Sequence, residues 1–335
     1  MSVMNRNPLL PSERVRKRLI KVHAETNPYY GKPPERLTAS ELLNSGVINL
    51  DKPLGPTSHQ VVAWVKEILG LDKAGHGGTL DPNATGILPV ALGQGTRVLK
   101  VLLSAGKEYV GVMRLHKDVK EGVIREVCSG FTGSITQLPP VRSAVKRVRR
   151  RRVIYYFEVL EVDGREVLFR VGCEAGTYIR TLCVDIGKRL RAGAHLQELR
   201  RTKIGRLRIE DSVTLHDLKD AYVFYKEDGD EDAIKSVIHP MEYFLNHLPK
   251  IIIRDSAVDA LCHGASLAVP GVVEVDSDIK KGDLVAVLTL KNEGVALVKA
   301  LMSTEEIIQR DNGICGQLER VLMNKGTYPS IWRKS

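Results

Sequence analysis

The chain contains no apolar run approaching about 18 residues, so nothing in it reads as a membrane-spanning helix. Cysteine is sparse, five in 335 residues. Cys128, Cys173, Cys183, Cys262 and Cys315 are scattered, with no C-x-x-C pair. That supports neither a disulfide framework nor a zinc site and suits a reducing compartment. The opening segment, MSVMNRNPLLPSERVRKRLIKVHAE, has charges but no apolar core and is no secretory signal. A soluble, cytoplasmic protein is the expectation. Familiar chemical signatures are missing too. No G-K-[ST] follows the glycine-rich loop at P-loop spacing, GQGTR is too short for a dinucleotide fingerprint, and the zinc-deaminase pattern is absent. With no metal-ligand cluster, no Ser-His-Asp pattern and no second acid near Asp81, the standard hydrolase templates fail.

What is present is ordinary globular composition, 43% hydrophobic and 27% charged. Lysine and arginine number 50 against 40 acids, a net charge of +10. That excess suits a polyanion, nucleic acid before membrane. The length allows two or three domains. Residues 1–45 are basic and poorly periodic, an extension that needs a surface to lie on. From Gly46 a compact region begins. GVINL and KEYVGVMRLH read as strands, and Ser58 as the cap of a helix bearing Val61, Val62, Val65, Ile68 and Leu69 on one face. GILPVALGQGTRVLKVL reads as a short helix and a glycine turn, VIYYFEVLEV and REVLFRVGCEAG as strands, and YIRTLCVDIGKRLRAG as a helix. The acidic KEDGDED, 226–232, breaks the chain before a helix-like AIKSVIHPMEYFLNHL. From about Leu248, short apolar strands separated by Gly, Pro and Asp turns follow the pattern of a small β-barrel. The class expected is α+β, a mixed sheet with helices followed by that barrel.

One twelve-residue segment, GHGGTLDPNATG (75–86), sets a single carboxylate, Asp81, among four glycines. Asp81–Pro82 has the form of a helix start, with Asp as cap and Pro at the first helical position. A shaped functional loop is the other reading. Arg180 falls near the start of a helix, where the macrodipole disfavours a cation. It is an ordinary surface arginine or the partner of a carboxylate. Tyr109 is a plain sheet aromatic or a site residue. VKRVRRRRV, 145–153, has six basic residues in nine and is a solvated run, a localisation signal or a phosphate-binding edge.

At GHGGTLDPNATGILPVALGQGTR the sequence resembles the TruB family of pseudouridine synthases, whose loop has the form G-H-x-G-x-L-D-P-x-A-T-G. INLDKPLGPTSHQVV, SAGKEYVGVMRLH, FTGSITQLPPVRSAVKR, CEAGTYIRTLCVDIG and HLQELRRTKIG follow in the family's order, over roughly residues 46–215. The C-terminal DSAVDALCHGASLAVPGV and IKKGDLVAV are similar to a PUA domain, a small RNA-binding barrel. The basic extension and the terminal GTYPSIW resemble the dyskerin branch, and the missing lysine-rich tails its archaeal members. The resemblance implies an N-terminal extension (1–45) packing on the PUA region, a catalytic domain (46–247), a PUA domain (248–325) and a tail (326–335).

It also implies roles. Asp81 matches the catalytic acid, Arg180 its ion-pair partner, and Tyr109 the tyrosine that packs on the target base. His76, Lys52, Lys146 and Leu199 are expected around the substrate RNA. His76 corresponds to the loop histidine; Gly77-Gly78 follows it here, which leaves its role open. His263, Gly264 and Ala265 are expected against the guide RNA, or form a simple turn. The implied activity is guide-directed isomerisation of uridine within a box H/ACA ribonucleoprotein acting on rRNA or tRNA, without metal or organic cofactor. Implied partners are guide RNA, a small zinc-ribbon protein, a glycine-arginine-type β-barrel protein and a kink-turn-binding ribosomal-type protein. A stand-alone tRNA modifier and a non-catalytic guide-RNA scaffold are the alternatives.

Overall fold

A computed structural model describes residues 9–139 and 146–330. The extension enters through a 3-10 turn, Pro11–Glu13, and a short strand, β1 (Arg18–Ile20). It ends at helix α1 (Ala39–Ser45), started by a reciprocal cap in which the Glu41 amide donates to the Thr38 hydroxyl and the Thr38 amide to the Glu41 carboxylate.

Among the described residues the first lobe is built on nine strands: β2 (Val47–Lys52), β3 (Ala74–His76), β4 (Ala84–Leu92), β5 (Lys107–Leu115), β6 (Gly133–Gln137), β7 (Arg150–Asp163), β8 (Glu166–Cys173), β9 (Ala194–Ile204) and β10 (Leu207–Arg208). Their order is β2-β4-β9-β5-β8-β7-β6, with β3 on β4 and β10 on β9. Only β4–β9 is parallel within this sheet. The helices are α2 (Ser58–Leu69), α3 (Lys100–Leu103), α4 (Glu121–Ser129), α5 (Ile179–Arg189), α6 (Leu215–Asp228) and α7 (Glu231–Val237). The second lobe contains β11 (Lys250–Ile253), α8 (Asp255–Cys262), β12 (Leu267–Ala268), β13 (Val272–Asp276), β14 (Leu284–Thr289), β15 (Gly294–Ala300), α9 (Thr304–Gln309) and β16 (Ile314–Val321). This is the α+β class expected. No helix among the described residues is long and apolar enough to cross a membrane.

Four local expectations need correction. GILPVAL is not helical but the body of β4. Leu88, Val90 and Leu92 pack into one apolar cluster and Ile87 and Ala91 into another, so both faces are buried. A short run apolar on both faces has no periodicity to separate strand from helix. The cap of α2 is Thr57, not Ser58. KEDGDED is mostly helical, because α6 runs to Asp228 and only Gly229 and Asp230 separate it from α7. AIKSVIHPMEYFLNHL breaks at Ile238–Pro240 and resumes as a 3-10 turn over Met241–Leu245, consistent with proline ending a helix at the preceding residue.

The lobes share an apolar cluster: Ile87, Val98 and Ile204 meet Ile252, Leu288 and Leu297. The extension ties them further. Strand β1 pairs antiparallel with β13, and Arg18 forms ion pairs with Asp276 (3.3 Å) and Glu274 (3.7 Å). The Lys291 ammonium donates to the carbonyls of Asn27, Pro28 and Tyr30. Near the C-terminus, the buried Tyr328 hydroxyl donates to Glu293 at 2.6 Å.

His247 lies in this junction. Its Nε2–H donates to the Val101 carbonyl at 3.2 Å, and its own carbonyl accepts from Arg16. Burial pushes its imidazolium from 6.5 down to about 4. The unfolded chain therefore binds a proton below pH 6.5 that the folded chain refuses until about pH 4. Stability falls as pH drops through that window, by about 3 kcal/mol from this group, and levels off below it. His247→Gln is expected to flatten the dependence of Tm on pH between 4 and 6.5. Equal slopes in the two proteins would contradict the assignment.

Candidate active site

Between β3 and β4 the glycine-rich segment turns tightly: the Ala84 amide donates to the Asp81 carbonyl at 3.0 Å, and strand, not helix, follows. The helix-cap reading of Asp81 is therefore wrong. The loop is fastened on several sides. The Ser58 hydroxyl, in the first turn of α2, accepts from the Leu80 amide (2.9 Å) and donates to the Leu80 carbonyl (3.0 Å), both groups buried. Gly55 donates to the Pro82 carbonyl and Gly77 to the Pro89 carbonyl. These bonds leave the Asp81 side chain 51% exposed.

Arg180 meets it there, Nη2 to Oδ2 at 3.0 Å. The start of α5 is fixed by a buried amide: Gln137 donates to the Tyr178 carbonyl (3.1 Å) and accepts from the Tyr178 amide (3.0 Å). Arg180, at the second residue of α5, is thereby aimed across the loop. An ion pair this exposed adds about 0–1 kcal/mol to stability. Its effect is orientation of the carboxylate.

Behind the loop lies a residue the sequence reading did not single out. Arg201 is 2% exposed. Its Nε donates to the Ile87 carbonyl at 2.8 Å, Nη2 to Gly78 at 3.2 Å and Nη1 to Thr79 at 3.4 Å. Among the described residues it has no carboxylate partner. The close parallel contact of β4 and β9, Gly86 opposite Arg201, requires glycine: φ at 86 is +98°, and a Cβ would overlap the Arg201 backbone. Its neighbour Arg200 points the other way, to Asp51 at 2.6 Å. The signal available was two adjacent arginines, but only the sheet decides which one turns inward.

Tyr109, on β5 opposite Arg201, is largely buried. Burial raises the pKa of its phenol, and the neighbouring Arg201 guanidinium offsets part of that rise. Leu199 is half-buried opposite Ala84 and Gly111. Asp81, Arg180, Tyr109 and Leu199 thus gather where β4, β5, β9 and the start of α5 converge.

The remaining expected residues fall differently. Lys52 is completely buried and so lies under the loop instead of on an RNA-facing surface. Its ammonium donates to the Pro53 carbonyl at 2.6 Å; burial lowers its pKa and Asp81 partly restores it. His76 is half-buried, edge-on to His59 with ring centroids 5.0 Å apart. Burial, then His59 and Arg201, lower its pKa, so the ring is held neutral, and Nδ1 is buried without a partner. Lys146 is exposed beside residues 140–145, a part of FTGSITQLPPVRSAVKR that lies outside the described residues. Next to it, Arg147 and Arg149 line a cleft of about 1080 Å³ together with Arg180 and Lys188. His263, Gly264 and Ala265 form an exposed turn after α8, with Gly264 at φ +100° and His263 Nδ1 2.9 Å from the Asp259 carbonyl. They belong to the second lobe.

Four family models match the chain: the TruB family pseudouridylate synthase N-terminal domain over residues 66–179, the tRNA pseudouridylate synthase B C-terminal domain over 180–246, the PUA domain over 249–322, and the DKCLD (NUC011) domain over 8–62. A probable tRNA pseudouridine synthase B from Methanopyrus kandleri is 57% identical over 323 residues, 96% of each chain. Its namesake from Pyrococcus furiosus is 55% identical over 328 residues, 97% of this chain and 96% of that one. Among solved structures, a Cbf5-Nop10-Gar1 complex matches with TM-score 0.93 at 56% identity, covering 96% of this chain and 98% of the other. An H/ACA RNP bound to a substrate RNA containing 2'-deoxyuridine matches with TM-score 0.90 at 53% identity, covering 97% and 100%.

Arg201→Met strips three loop and strand carbonyls of their donor and is expected to cost about 3 kcal/mol. Arg200→Met removes only a partly exposed pair and should cost under about 1 kcal/mol. Urea unfolding of both variants checks the contrast; equal losses would mean that Arg201 does not hold the loop.

Proposed function

The chain belongs to the TruB family of pseudouridylate synthases, and on that premise we propose a guide-directed enzyme. It isomerises chosen uridines of rRNA, and of tRNA, as the catalytic subunit of a box H/ACA ribonucleoprotein in the cytoplasm. The single observation that carries the chemistry is the half-exposed Asp81 carboxylate fixed by Arg180 at 3.0 Å on a loop braced from beneath. Five free, buried thiols support a reducing compartment. The likeness to H/ACA assemblies spans nearly the whole chain, extension and second lobe included, which supports the guide-dependent reading over a stand-alone tRNA modifier.

In the reaction the N1–C1′ bond of uridine breaks, the base turns within the site, and a C5–C1′ bond forms, with C5 losing a proton and N1 gaining one. Asp81 acts as a nucleophile, at C1′ of the ribose or at C6 of the base, or serves in proton transfer. Arg180 keeps the carboxylate paired and aimed. Because the target lies in a paired strand, the nucleotide must leave its stack to reach Asp81. Tyr109 and Leu199 form the wall the base packs against. His76 lies at the loop's entry as a neutral ring. The cleft carrying Arg147, Arg149 and Lys188, with Lys146 at its edge, takes the phosphates of the flanking strand. Residues 46–247 form the catalytic domain and 248–325 the PUA domain, with 1–45 the extension and 326–335 the tail. The turn His263–Ala265 contacts the guide. The partners are guide RNA, a zinc-ribbon protein, a glycine-arginine-type β-barrel protein and a kink-turn-binding protein.

The test of guide dependence is tritium release from substrate RNA carrying [5-³H]uridine. The chain assembled with guide RNA and partner proteins should release tritium only where the guide pairs, and exchanging the guide should move the site. Release that ignores the guide would favour the stand-alone tRNA enzyme.

A further inference from the structure

The N-terminal extension reaches the catalytic sheet at a second point, and the contact is made of charge. Glu13 closes the first 3-10 turn with its side chain 5% exposed. One carboxylate oxygen accepts from the Leu10 amide at 2.8 Å. The other is 3.2 Å from the Lys203 ammonium and 3.1 Å from Arg208. Lys203 in turn lies 3.7 Å from Glu108, a buried acid on β5. Glu108 accepts from the Tyr156 hydroxyl at 2.6 Å and from the Thr202 hydroxyl at 2.7 Å. Tyr156 comes so close because residue 172 beneath its ring is glycine, where a Cβ would overlap the ring. Glu13, Glu108 and Lys203 are enclosed, while Arg208 covers the cluster from the solvent side.

What this cluster holds is a fault in the sheet. Glu108 pairs with Lys203, but the next residue, Tyr109, pairs with Arg201, so Thr202 is an extra residue on β9. A bulge of this kind re-aims the side chains beyond it. With regular pairing Tyr109 would stand opposite Thr202, and Arg201 would lose its place beneath the loop. The extra residue is the one whose hydroxyl Glu108 holds. Lys203 is shared by Glu108 and Glu13, so without Glu13 its ammonium is left to Glu108 alone and competes with Thr202 for the carboxylate.

We infer that Glu13, in the extension, is a positioning residue for the isomerisation. Acting through Lys203 and Glu108, it fixes the β5–β9 bulge that sets Tyr109 and Arg201 against the Asp81 loop. The inference rests on Asp81 and Tyr109 being the working residues of the proposed reaction.

The test uses the full chain assembled with guide RNA and partner proteins on [5-³H]uridine substrate, comparing Glu13→Gln, Thr202→Val and their double variant, with Asp81→Ala alongside. Glutamine keeps an acceptor for the Leu10 amide, so the turn itself is preserved. Each single variant is expected to lower kcat about tenfold, the scale of a slightly misplaced reacting group. KM should stay within about twofold, separating misplacement from lost RNA binding. The double variant should be no slower than about either single one, because both act on the same bulge. Wild-type kcat in Glu13→Gln, losses that multiply in the double variant, or a loss carried by KM would each overturn the inference. Full turnover by Asp81→Ala would instead overturn the reading of the site, and this inference with it. An inactive Asp81→Ala beside a fully active Glu13→Gln would sink only the role of Glu13.

Discussion

A guanidinium buried without a carboxylate is tolerated only where other groups replace the water it has lost. Around Arg201 those groups are main-chain carbonyls, and two of the three belong to the loop that carries Asp81. Much of the site follows from that requirement. The β4–β9 contact must be parallel and close, so residue 86 must lack a Cβ. The bulge at Thr202 must occur where it does for Arg201 to face Tyr109. The loop then needs little flexibility of its own: Ser58 and Arg201 hold it from two sides, and the Asp81 side chain is left half-exposed to solvent.

The elements readable from sequence were those with a strong period or a strong stop. Helix α5 shows Ile179, Leu182, Cys183 and Ile186 at helical spacing, and α2 ends on Gly70 in the left-handed conformation. Strand β4 is not legible as a strand because burial on both faces erases alternation, and alternation is the information a strand offers. Where the family resemblance pairs Arg180 with Asp81, the two side chains meet at 3.0 Å. The site was illegible where a role depends on which face of a strand points inward. Arg201 and Arg200 are adjacent and alike in sequence, yet one supports the loop and the other pairs with Asp51. The resemblance implies Lys52 as an RNA contact, but its place at the end of β2 puts it, fully buried, under the loop.

The two lobes are held as one by apolar packing at their junction and by an extension that touches both. Its β1 strand adds an edge to the second lobe, and its Glu13 enters the charge cluster of the first. The span between the second lobe and Asp81 is then set by the fold instead of by a linker. Bound RNA would meet a site already arranged, with less ordering left to do on binding.

The most direct test of the account is turnover by Asp81→Ala in the assembled particle, read as tritium released from [5-³H]uridine substrate. The side chain is half-exposed and removes no buried contact, so the variant should fold and bind RNA as the wild type does. The account predicts no release above background at unchanged affinity for guide and substrate. Release at the wild-type rate from that folded, RNA-bound variant would contradict it and place the chemistry on another residue.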